Sequence, residues 1–398
     1  MHSALHLIAA AVGVLLVAAT LPLFLELLIL SVAGALPSRK PAPATASSLR
    51  LAVIIPAHNE EKLIAQCIRS LAGAAQIFVV AHNCTDATAA QAIAAGATVL
   101  PLNDTIGGKG SALDFGLRQA IATGADILLV IDADSIADPG LIPAVVSAFA
   151  NGAQATQARY QVANPDANRR TRLSALAFLG MNVLRPLGRH RLGLSCGIFG
   201  NGFALSAQTL ARVPYTPNSL VEDLEYHLHL IRAGIRVEFL DHAAVFGEMP
   251  ENSSAAASQR ARWEGGRILM RRLWAGPLAL EILRGRVRLL EPLLDLLAFP
   301  PATEAALLTL ALFIGLSTDT AWLRDYAALG IATLILYVLV AASLAPNPWA
   351  ILQALITAPA YLAFKVMMIP RTHLATRRDA TWVRTQRNAD LPHSNRKK

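Results

Sequence analysis

Two pairs of acidic residues stand where they could do chemistry. Asp132 and Asp134 follow the apolar run 126–131. In an extended segment, residues two apart point the same way, so both carboxylates could hold one Mg²⁺ or Mn²⁺ ion whose other ligands are water and phosphate oxygens. Glu222 and Asp223 precede a helical stretch. Asp223 could be a general base for a hydroxyl group there, although the helix dipole alone also favours acids at a helix start.

A third motif combines two guanidinium groups with an indole. It consists of Gln259, Arg260, Ala261, Arg262 and Trp263 and lies shortly before the chain becomes strongly apolar. Arginine holds diphosphates through paired hydrogen bonds, and a tryptophan face stacks on flat rings, including sugar rings. The motif could therefore bind a phosphate-activated sugar at a membrane border. It would equally suit the basic start of an interfacial helix.

A glycine-rich segment around Lys109 indicates a phosphate neighbour without a complete nucleotide motif. Residues 107–111 resemble part of a P-loop, but Asn103 stands where the first glycine is needed and Gly110 where a Ser or Thr is needed. No GxGxxG follows the first predicted strand, so a dinucleotide site is not predicted either. What remains is Lys109 with glycine amides at a helix start, which suits a phosphate but also a plain surface lysine.

Composition indicates a membrane protein with a globular middle. Of 398 residues, 54% are hydrophobic and only 16% are charged, whereas about 25% charge is usual for soluble chains. The formal charge of +8 is concentrated beside apolar segments, with +6 in residues 371–398 and +5 in residues 259–291. This placement favours anionic lipid headgroups or diphosphates as partners. Nucleic acid is not predicted as a partner, because the chain has no basic stripe interleaved with aromatic residues.

Apolar runs at the two ends predict membrane helices. Residues 4–36 form a run too long for a signal-peptide core, and Arg39 and Lys40 follow it. We therefore expect an uncleaved transmembrane helix with the central domain in the cytoplasm. Glu26 lies inside this run; it is a functional candidate, or else it packs against another helix.

The number of C-terminal membrane crossings must be even if the central domain and the basic tail are both cytoplasmic. The C-terminal apolar runs cover residues 293–316, 323–344 and 349–369. Three full crossings would place the basic tail outside the cytoplasm, against the positive-inside tendency. One run is therefore expected to be interfacial or re-entrant, and the first, broken by Pro300 and Pro301, is one candidate.

Alternating strand and helix patterns predict the fold of the middle of the chain. The expected strands cover 51–55, 76–81, 97–100 and 126–131, and the expected helices cover 60–72, 85–95 and 109–123. This alternation predicts an α/β domain with a mostly parallel, Rossmann-like sheet. Ligands bind at the carboxyl ends of such strands, where each polar cluster of this region falls.

The cysteines indicate neither a disulfide framework nor a zinc site. Cys67, Cys84 and Cys196 include no CxxC pair and are odd in number. We expect them to be reduced thiols in the domain interior.

Six segments follow from these patterns. They are a transmembrane helix at 1–36, a linker at 37–50, the α/β domain at 51–264, an amphipathic interfacial helix at 265–290, transmembrane or interfacial helices at 291–370 and a basic cytosolic tail at 371–398.

Seven motifs in a fixed order resemble the family-2 glycosyltransferases. They are PAHNE (56–60), NCTDAT (83–88), GKGSAL (108–113), DAD (132–134), GNGFAL (200–205), VEDLEY (221–226) and QRARW (259–263). With flanking membrane helices, the set is similar to the membrane-integrated inverting synthases of cellulose, chitin oligosaccharide, hyaluronan and poly-N-acetylglucosamine. The ceramide-glucosyltransferase branch is a near relative. The resemblance implies a GT-A fold.

The resemblance also implies a role for each matching residue. The uridine part of a UDP-sugar would be held by Pro56, Ala57, Glu60, His82 and Asp86, with Lys109 near the nucleotide. Asp132 and Asp134 would handle ribose, metal and diphosphate. Asn201 and Gly202 would line the donor-sugar and acceptor pocket. Asp223 would be the catalytic base, with Glu222 beside it. Gln259, Arg260, Arg262 and Trp263 would close over the diphosphate and hold the acceptor.

One position departs from the family pattern. His82 stands where the family usually has an acid that contacts the base. Histidine does not reproduce a carboxylate, so uracil recognition needs another group, and the neighbouring Asp86 could supply it.

Together the sequence predicts an inverting hexosyltransferase of the bacterial inner membrane that uses UDP-sugar and a divalent cation. Its acceptor would be a growing polysaccharide or, alternatively, a lipid. A hypothesis from another class is a membrane receptor that binds nucleotide-sugar and serves as a scaffold without turnover.

Overall fold

The computed structural model describes residues 2–37, 48–74, 76–104, 108–216, 219 and 221–357. Within them the chain forms one eight-stranded sheet with long apolar helices at both ends. The strands are β1 (Leu51–Ala57), β2 (Gln76–His82), β3 (Thr98–Leu102), β4 (Ile127–Val130), β5 (Ser135–Ala137), β6 (Ala155–Val162), β7 (Phe203–Ser206) and β8 (Val237–Gly247).

Fourteen α-helices lie in the described part of the chain. They are α1 (His2–Ala35), α2 (Ile64–Ser70), α3 (Thr88–Ala94), α4 (Lys109–Ala122), α5 (Leu141–Ala150), α6 (Arg169–Leu179), α7 (Arg185–Arg191), α8 (Ala207–Arg212), α9 (Glu222–Arg232), α10 (Ser253–Leu283), α11 (Leu290–Leu297), α12 (Pro301–Ser317), α13 (Ala321–Ser343) and α14 (Pro348–Gln353). A π-helical turn (Gly180–Leu184) joins α6 to α7.

The sheet has the order β3-β2-β1-β4-β7-β6-β8-β5. Strands β3, β2, β1 and β4 are parallel, as predicted, so their carboxyl ends share one edge. β7 is antiparallel to both of its neighbours, β4 and β6. Because Phe203 at the start of β7 pairs with Val130 at the end of β4, the loop that precedes β7 meets this same edge.

Alternating residues of β1 belong to two hydrophobic cores, one on each face of the sheet. Ala52 and Ile54 face one core, which includes residues of α4, whereas Val53 and Ile55 face the other, which includes residues of α2 and α5. A strand buried on both faces is a continuous apolar run, typical of a central parallel strand. The α/β, Rossmann-like fold class predicted from the sequence is confirmed.

Helix α1 packs directly on the domain. Arg191 donates from Nη1 to the carbonyl oxygens of Ala33 and Gly34 at 2.9 and 2.6 Å, which caps the end of α1. Glu26 is buried and forms ion pairs with Arg185 and Arg189 of α7. Of the two interpretations of Glu26, the structure supports packing against another helix.

Two described helices, His6–Ala35 and Ala321–Ser343, are long and apolar enough to cross a membrane. The segments Val287–Leu297 and Pro301–Ser317 pass the same test only as a pair and are bent by 81°. This confirms that the prolines at 300 and 301 break the first C-terminal run.

The predicted boundary between domain and interfacial helix falls inside one helix. The helix expected at 265–290 begins at Ser253 and ends at Leu283, so it includes the arginine-tryptophan motif. Residues 38–47 of the predicted linker, the end of the last apolar run and the basic tail lie outside the described residues.

Candidate active site

The aspartates after β4 lie in a turn, not in the extended segment that we predicted. The amide of Ser135 donates to Asp132 O at 3.0 Å, which closes the turn. The Asp132 amide donates to Asn201 Oδ1 at 3.1 Å, and Cys67 Sγ lies 3.4 Å from Asp132 O. The main chain at Asp132 is therefore held by contacts from three other elements of the domain.

Lys109 lies at the centre of the site. Its Nζ is 2.5 Å from Asp132 Oδ1 and donates to Gly200 O at 2.5 Å. Burial lowers the pKa of Lys109, but the carboxylates of Asp132, Glu222 and Asp223 outweigh burial and leave that pKa raised. The side chain is therefore an ammonium ion, 22% exposed, at the edge where ligands of such sheets bind.

Gly200 keeps the space between Lys109 and Asp223 open. Its φ is +73°, a conformation that favours glycine. A Cβ at this position would lie 3.2 Å from Asp223 Oδ2 and 3.4 Å from Lys109 Nζ. The ammonium and this carboxylate therefore flank the same glycine.

The loop that carries Gly200 is fixed by two fully buried amides. Gln157 donates from Nε2 to Asn201 O at 2.8 Å and accepts from the Phe199 amide at 3.0 Å. Asn201 donates from Nδ2 to Ser135 Oγ at 2.9 Å. Asn201 thus supports the main chain of Asp132 from the protein interior. Its role as a pocket-lining residue stays a prediction. Sequence reasoning missed Gln157, a polar residue inside a strand.

Gly202 joins the loop to the sheet through its main chain. Its amide donates to Val130 O at 2.9 Å, and its carbonyl accepts from the Ala158 amide at 2.8 Å. A Cβ there would lie 2.9 Å from Val245 Cγ2, so the position also needs a small residue for packing.

The acid pair begins helix α9. Burial raises the pKa of Glu222 to about 7, and the charge of Asp223 adds to this while Lys109 opposes it. Burial likewise raises the pKa of Asp223, against the hydrogen bond from the Leu224 amide at 2.8 Å and the charge of Lys109. Two half-buried carboxyl groups that hold protons more tightly than usual therefore stand beside one ammonium ion.

The arginine-tryptophan motif lies near the start of α10. The Trp263 ring centroid is 6.0 Å from that of Phe178, whose ring lies 5.2 Å from Tyr160. A Cβ at Gly266 would overlap the side chain of Val221, the residue before Glu222. Helix α10 thus packs directly against the start of α9. Gln259, Arg260 and Arg262 are half-buried on this helix.

The loops after β1 and β2 are joined to each other. The amide of Glu60 donates to Thr88 Oγ1 at 2.8 Å. Asp86 accepts from the amides of Thr88 at 2.9 Å and Glu61 at 3.2 Å. Partial burial would raise the pKa of Asp86, but these hydrogen bonds outweigh burial and lower it. Pro56 and Ala57 are the last residues of β1 and lie beside these loops.

The carboxylate that contacts His82 is Asp104, not Asp86. His82 Nε2 lies 2.9 Å from Asp104 Oδ1, and the two side chains are 6% and 24% exposed. Sequence reasoning missed Asp104. Its position two residues after β3, at the carboxyl edge of the sheet, is the signal that could have identified it.

The histidines of α9 and the cysteines are structural. His227 Nε2 is 2.9 Å from Ser195 Oγ, and burial lowers the pKa of His227 to about 3. His229 packs edge-on against Trp274 at 5.2 Å. All three cysteines are free thiols, and Cys67 and Cys196 are buried. The three cysteines are therefore reduced thiols, as the sequence indicated, and Cys84 is only half-buried.

The acidic residues fit a divalent cation that is shared with a ligand. Among the residues that the structure describes, no group of three or more His, Cys, Asp or Glu side chains could hold a metal ion. Burial raises the pKa of Cys67, and the carboxylates of Asp134 and Asp132 raise it further, so both lie near the same buried sulfur. Two carboxylates suit Mg²⁺ or Mn²⁺, because such ions take water and substrate phosphates as their other ligands.

Residues 49–266 match the sequence model of the family described as "Glycosyltransferase like family 2". The chain is 24% identical over 233 residues to "Probable glycosyltransferase YdaM" of Bacillus subtilis, which is 54% of this chain and 55% of that protein. It is 38% identical over 105 residues to "Protein RfbJ" of Shigella flexneri, which is 25% of this chain and 76% of that protein. The chain thus spans little more than half the length of the first relative.

The fold is shared with a solved structure, the mannosyltransferase PcManGT from Pyrobaculum calidifontis in complex with GDP-Man and Mn²⁺. The TM-score is 0.54 at 18% identity, over 93% of this chain and 97% of that chain. At this identity the likeness concerns the fold, including the helices at the two ends of the chain.

Proposed function

Because this chain belongs to glycosyltransferase-like family 2, we propose that it transfers a hexose or N-acetylhexosamine from a UDP-sugar to a hydroxyl group, with inversion at the anomeric carbon. The observation that carries the proposal is the convergence of Lys109, Asp132 and Asp223 around Gly200. The ammonium group of Lys109 and the carboxylate of Asp132 lie there beside Asp223, the potential base. Displacement of a diphosphate requires such groups, because the leaving group must be stabilised and the acceptor hydroxyl must lose its proton.

Asp223 is the proposed base. Its carboxylate removes the proton of the acceptor hydroxyl, and the oxygen attacks the anomeric carbon while the bond to the UDP oxygen breaks. A single displacement inverts the configuration at this carbon. Burial, which raises the pKa of Asp223, also makes its carboxylate a stronger base.

Positive groups around the diphosphate stabilise the leaving group. Lys109 supplies one of these groups, and Arg260 and Arg262 are proposed to supply the others from α10, the helix that packs against the residue before Glu222. When bound, Mg²⁺ or Mn²⁺ held by Asp132 and Asp134 would neutralise charge on the diphosphate oxygens. The complex of PcManGT with GDP-Man and Mn²⁺ supports this assignment at the level of fold.

Aromatic residues offer a surface for the acceptor. Trp263 is 38% exposed and is backed by Phe178 and Tyr160. An indole held in this way can stack on a sugar ring.

We propose a growing polysaccharide as the acceptor, as in the membrane synthases that the motifs resemble. A lipid acceptor is the second candidate, since within the described residues α10 leads from the site to a bent helix pair and one candidate span, Ala321–Ser343, and only one candidate span precedes the domain. Incubation of membranes with labelled UDP-sugars separates the two: a ladder of products indicates a polymer, and one extractable glycolipid indicates a lipid acceptor.

The proposed location is the inner membrane of a bacterium, with several crossings, the catalytic domain in the cytoplasm and lipids around the apolar helices. The two candidate spans and the bacterial origin of YdaM and RfbJ support it.

The decisive variant is Asp223→Asn, which keeps the shape of the side chain and removes the base. We expect transfer to fall by about 10²- to 10⁴-fold while UDP still binds. Asp126→Asn is the matched control, because Asp126 accepts a bond from the Arg50 amide at the opposite edge of the sheet. Near-normal transfer by Asp223→Asn would remove the base assignment. Binding of UDP-sugar without transfer or hydrolysis by the unaltered chain would favour the receptor hypothesis.

A further inference from the structure

We propose that Asp104, held in place by His82, reads the nucleotide base, and that it selects bases with a ring N–H over bases with a ring nitrogen acceptor. Uracil N3–H and guanine N1–H are such donors, whereas cytosine and adenine present unprotonated nitrogens at the equivalent positions. The inference rests on the proposed function, since it deepens donor recognition at the same site.

Asp104 lies where a base would extend from the diphosphate. It follows β3, whose Leu102 pairs with His82 at the end of β2. Asp132 lies just beyond the end of β4, three strands away in the order β3-β2-β1-β4, and Lys109, the first residue of α4, contacts its carboxylate. Three strand spacings make about 14 Å along one edge, a span on the scale of a nucleoside diphosphate lying across the strand ends.

Asp104 is fixed by its main chain as well as by its side chain. Asn83 donates from Nδ2 to Asp104 O at 3.0 Å and accepts from the Asp104 amide at 3.2 Å. Asn83 itself has a φ of +49°, and its amide donates to Leu102 O at 2.9 Å. This reciprocal pair holds the turn after β3 against the turn after β2, so the Asp104 carboxylate has a defined position.

The chemistry of the pair determines what it can recognise. An ionised carboxylate only accepts hydrogen bonds and has about four acceptor positions. The contact at 2.9 Å therefore makes His82 Nε2 the donor to Asp104 Oδ1. The carboxylate can accept further bonds from a base N–H, but it faces a lone pair of cytosine N3 with negative charge. The contact thus favours one class of base and repels the other.

His82 is a positioning residue in this arrangement. Its ring is nearly buried, and its carbonyl accepts from His58 Nδ1 at 2.8 Å. His82 occupies the position of the family's usual acid and reaches from the end of β2 to Asp104 after β3. Asp104 then supplies the carboxylate that position 82 lacks. This explains why a residue without a carboxylate can occupy position 82.

The test is equilibrium binding of UDP, GDP, CDP and ADP to the purified full-length chain at constant Mg²⁺. We expect UDP or GDP to bind better than CDP and ADP. In Asp104→Asn, His82 orients the amide oxygen towards itself, so the amide NH₂ faces the base. The preferred ring N–H nucleotide should then lose about 10- to 100-fold in affinity, and CDP should not. A ratio of two affinities does not depend on the fraction of folded protein.

His82 variants separate positioning from simple packing. His82→Gln can still donate to Asp104 and should keep most of the base preference, whereas His82→Ala should lose it. Asp166→Asn, at an exposed side chain, is the control. An unchanged UDP-to-CDP ratio in Asp104→Asn overturns the inference, and so does a chain that binds all four nucleotides equally. Base preference without any sugar transfer would sustain the inference and refute the proposed function.

Discussion

Two clusters of charged side chains differ in the ratio of positive to negative groups. The site cluster has one cation, Lys109, beside three carboxyl groups at 132, 222 and 223. The second, which we call the inter-helix ion cluster, has three arginines and three carboxylates. Its members are Glu26 of α1, Arg185 and Arg189 of α7, Arg267 of α10, and Glu291 and Asp295 of α11.

The balance indicates what each cluster does. Asp295 Oδ1 lies 2.8 Å from Arg189 and 2.5 Å from Arg185, and its Oδ2 lies 3.0 Å from Arg267. Buried ion pairs matched in this way hold elements together. The excess of carboxyl groups around Lys109 favours the binding of another positive group, and it raises the proton affinity of these carboxyl groups. The matched cluster is therefore structural, and the unmatched one is suited to chemistry.

Helix α10 connects the two clusters. Trp263 and Arg267 are one helical turn apart, so the motif proposed to bind the acceptor and an arginine of the inter-helix ion cluster lie on one side of the same helix. Because α10 carries residues of both clusters, it fixes the position of the site relative to the apolar helices.

The largest effect should come from breaking the matched cluster. Arg189→Ala leaves Glu26, Glu291 and Asp295 short of one buried partner, and we expect a loss of about 3–5 kcal/mol in the free energy of unfolding. Arg118→Ala, whose side chain is 70% exposed beside Asp114, should cost less than about 1 kcal/mol. Denaturation of both variants in detergent measures this, and equal losses would contradict the structural role.

Removing Lys109 should affect catalysis more than stability. Since Lys109 lowers the pKa of Glu222 and Asp223, Lys109→Met should leave more of the base protonated at neutral pH. We expect kcat to fall about 10²- to 10³-fold and to recover in part at higher pH. A normal kcat at neutral pH in this variant would remove Lys109 from the mechanism.

The contact between α10 and α9 can be tested by overpacking. Gly266→Ala places a methyl group on the Val221 side chain, which should cost about 1–3 kcal/mol and lower transfer. The double variant with Val221→Ala should restore both properties. Failure of the double variant to restore transfer would show that this contact does not position the acid pair.

The smallest expected effect is a change in pH dependence. Burial raises the pKa of Glu222 from the ordinary 4.5 to about 7. The protonated form therefore stabilises the fold below about pH 4.5, and this contribution is lost as the pH rises through about 7. Glu222→Gln should remove that slope. It should leave the acid limb of kcat/KM in place, because Glu222, whose pKa is raised in part by the charge of Asp223, is still protonated where Asp223 ionises.

A shifted acid limb in Glu222→Gln would mean that Glu222 is already charged where Asp223 ionises, and an unchanged slope of the free energy of unfolding would mean that Glu222 does not titrate in this range. Asp126→Asn is again the control, since Asp126 accepts a hydrogen bond from the Arg50 amide far from the acid pair.

Much of the site could be predicted because its residues follow strong local patterns. The four parallel strands β1 to β4 are short apolar runs that end in polar clusters, so their parallel direction and the sheet edge that carries the polar clusters follow from alternation. The motifs at 132–134 and 221–223 follow from residue types, and the motif at 200–202 follows from the family resemblance. The structure brings all three together around Lys109.

Other features depend on partners distant in the chain. Asp104 pairs with a residue 22 positions away, and Gln157 bonds to one 44 positions away. Gln157 has no signature of its own, and the only signal for Asp104 is its position two residues after β3. The strands after β4 were not predicted. The start of α10 was placed too late, because no apolar periodicity marks the first turns of that helix.

The sequence by itself determined the α/β class, the family, the edge where the ligand binds and the apolar ends. Each of these depends on local periodicity or on motifs in order along the chain. The tertiary structure decided which carboxylate stands beside His82, which acids are matched by arginine and which are not, and that Glu26 anchors α1. These outcomes depend on burial and on the exact partner of each charge, which only packing between distant segments creates.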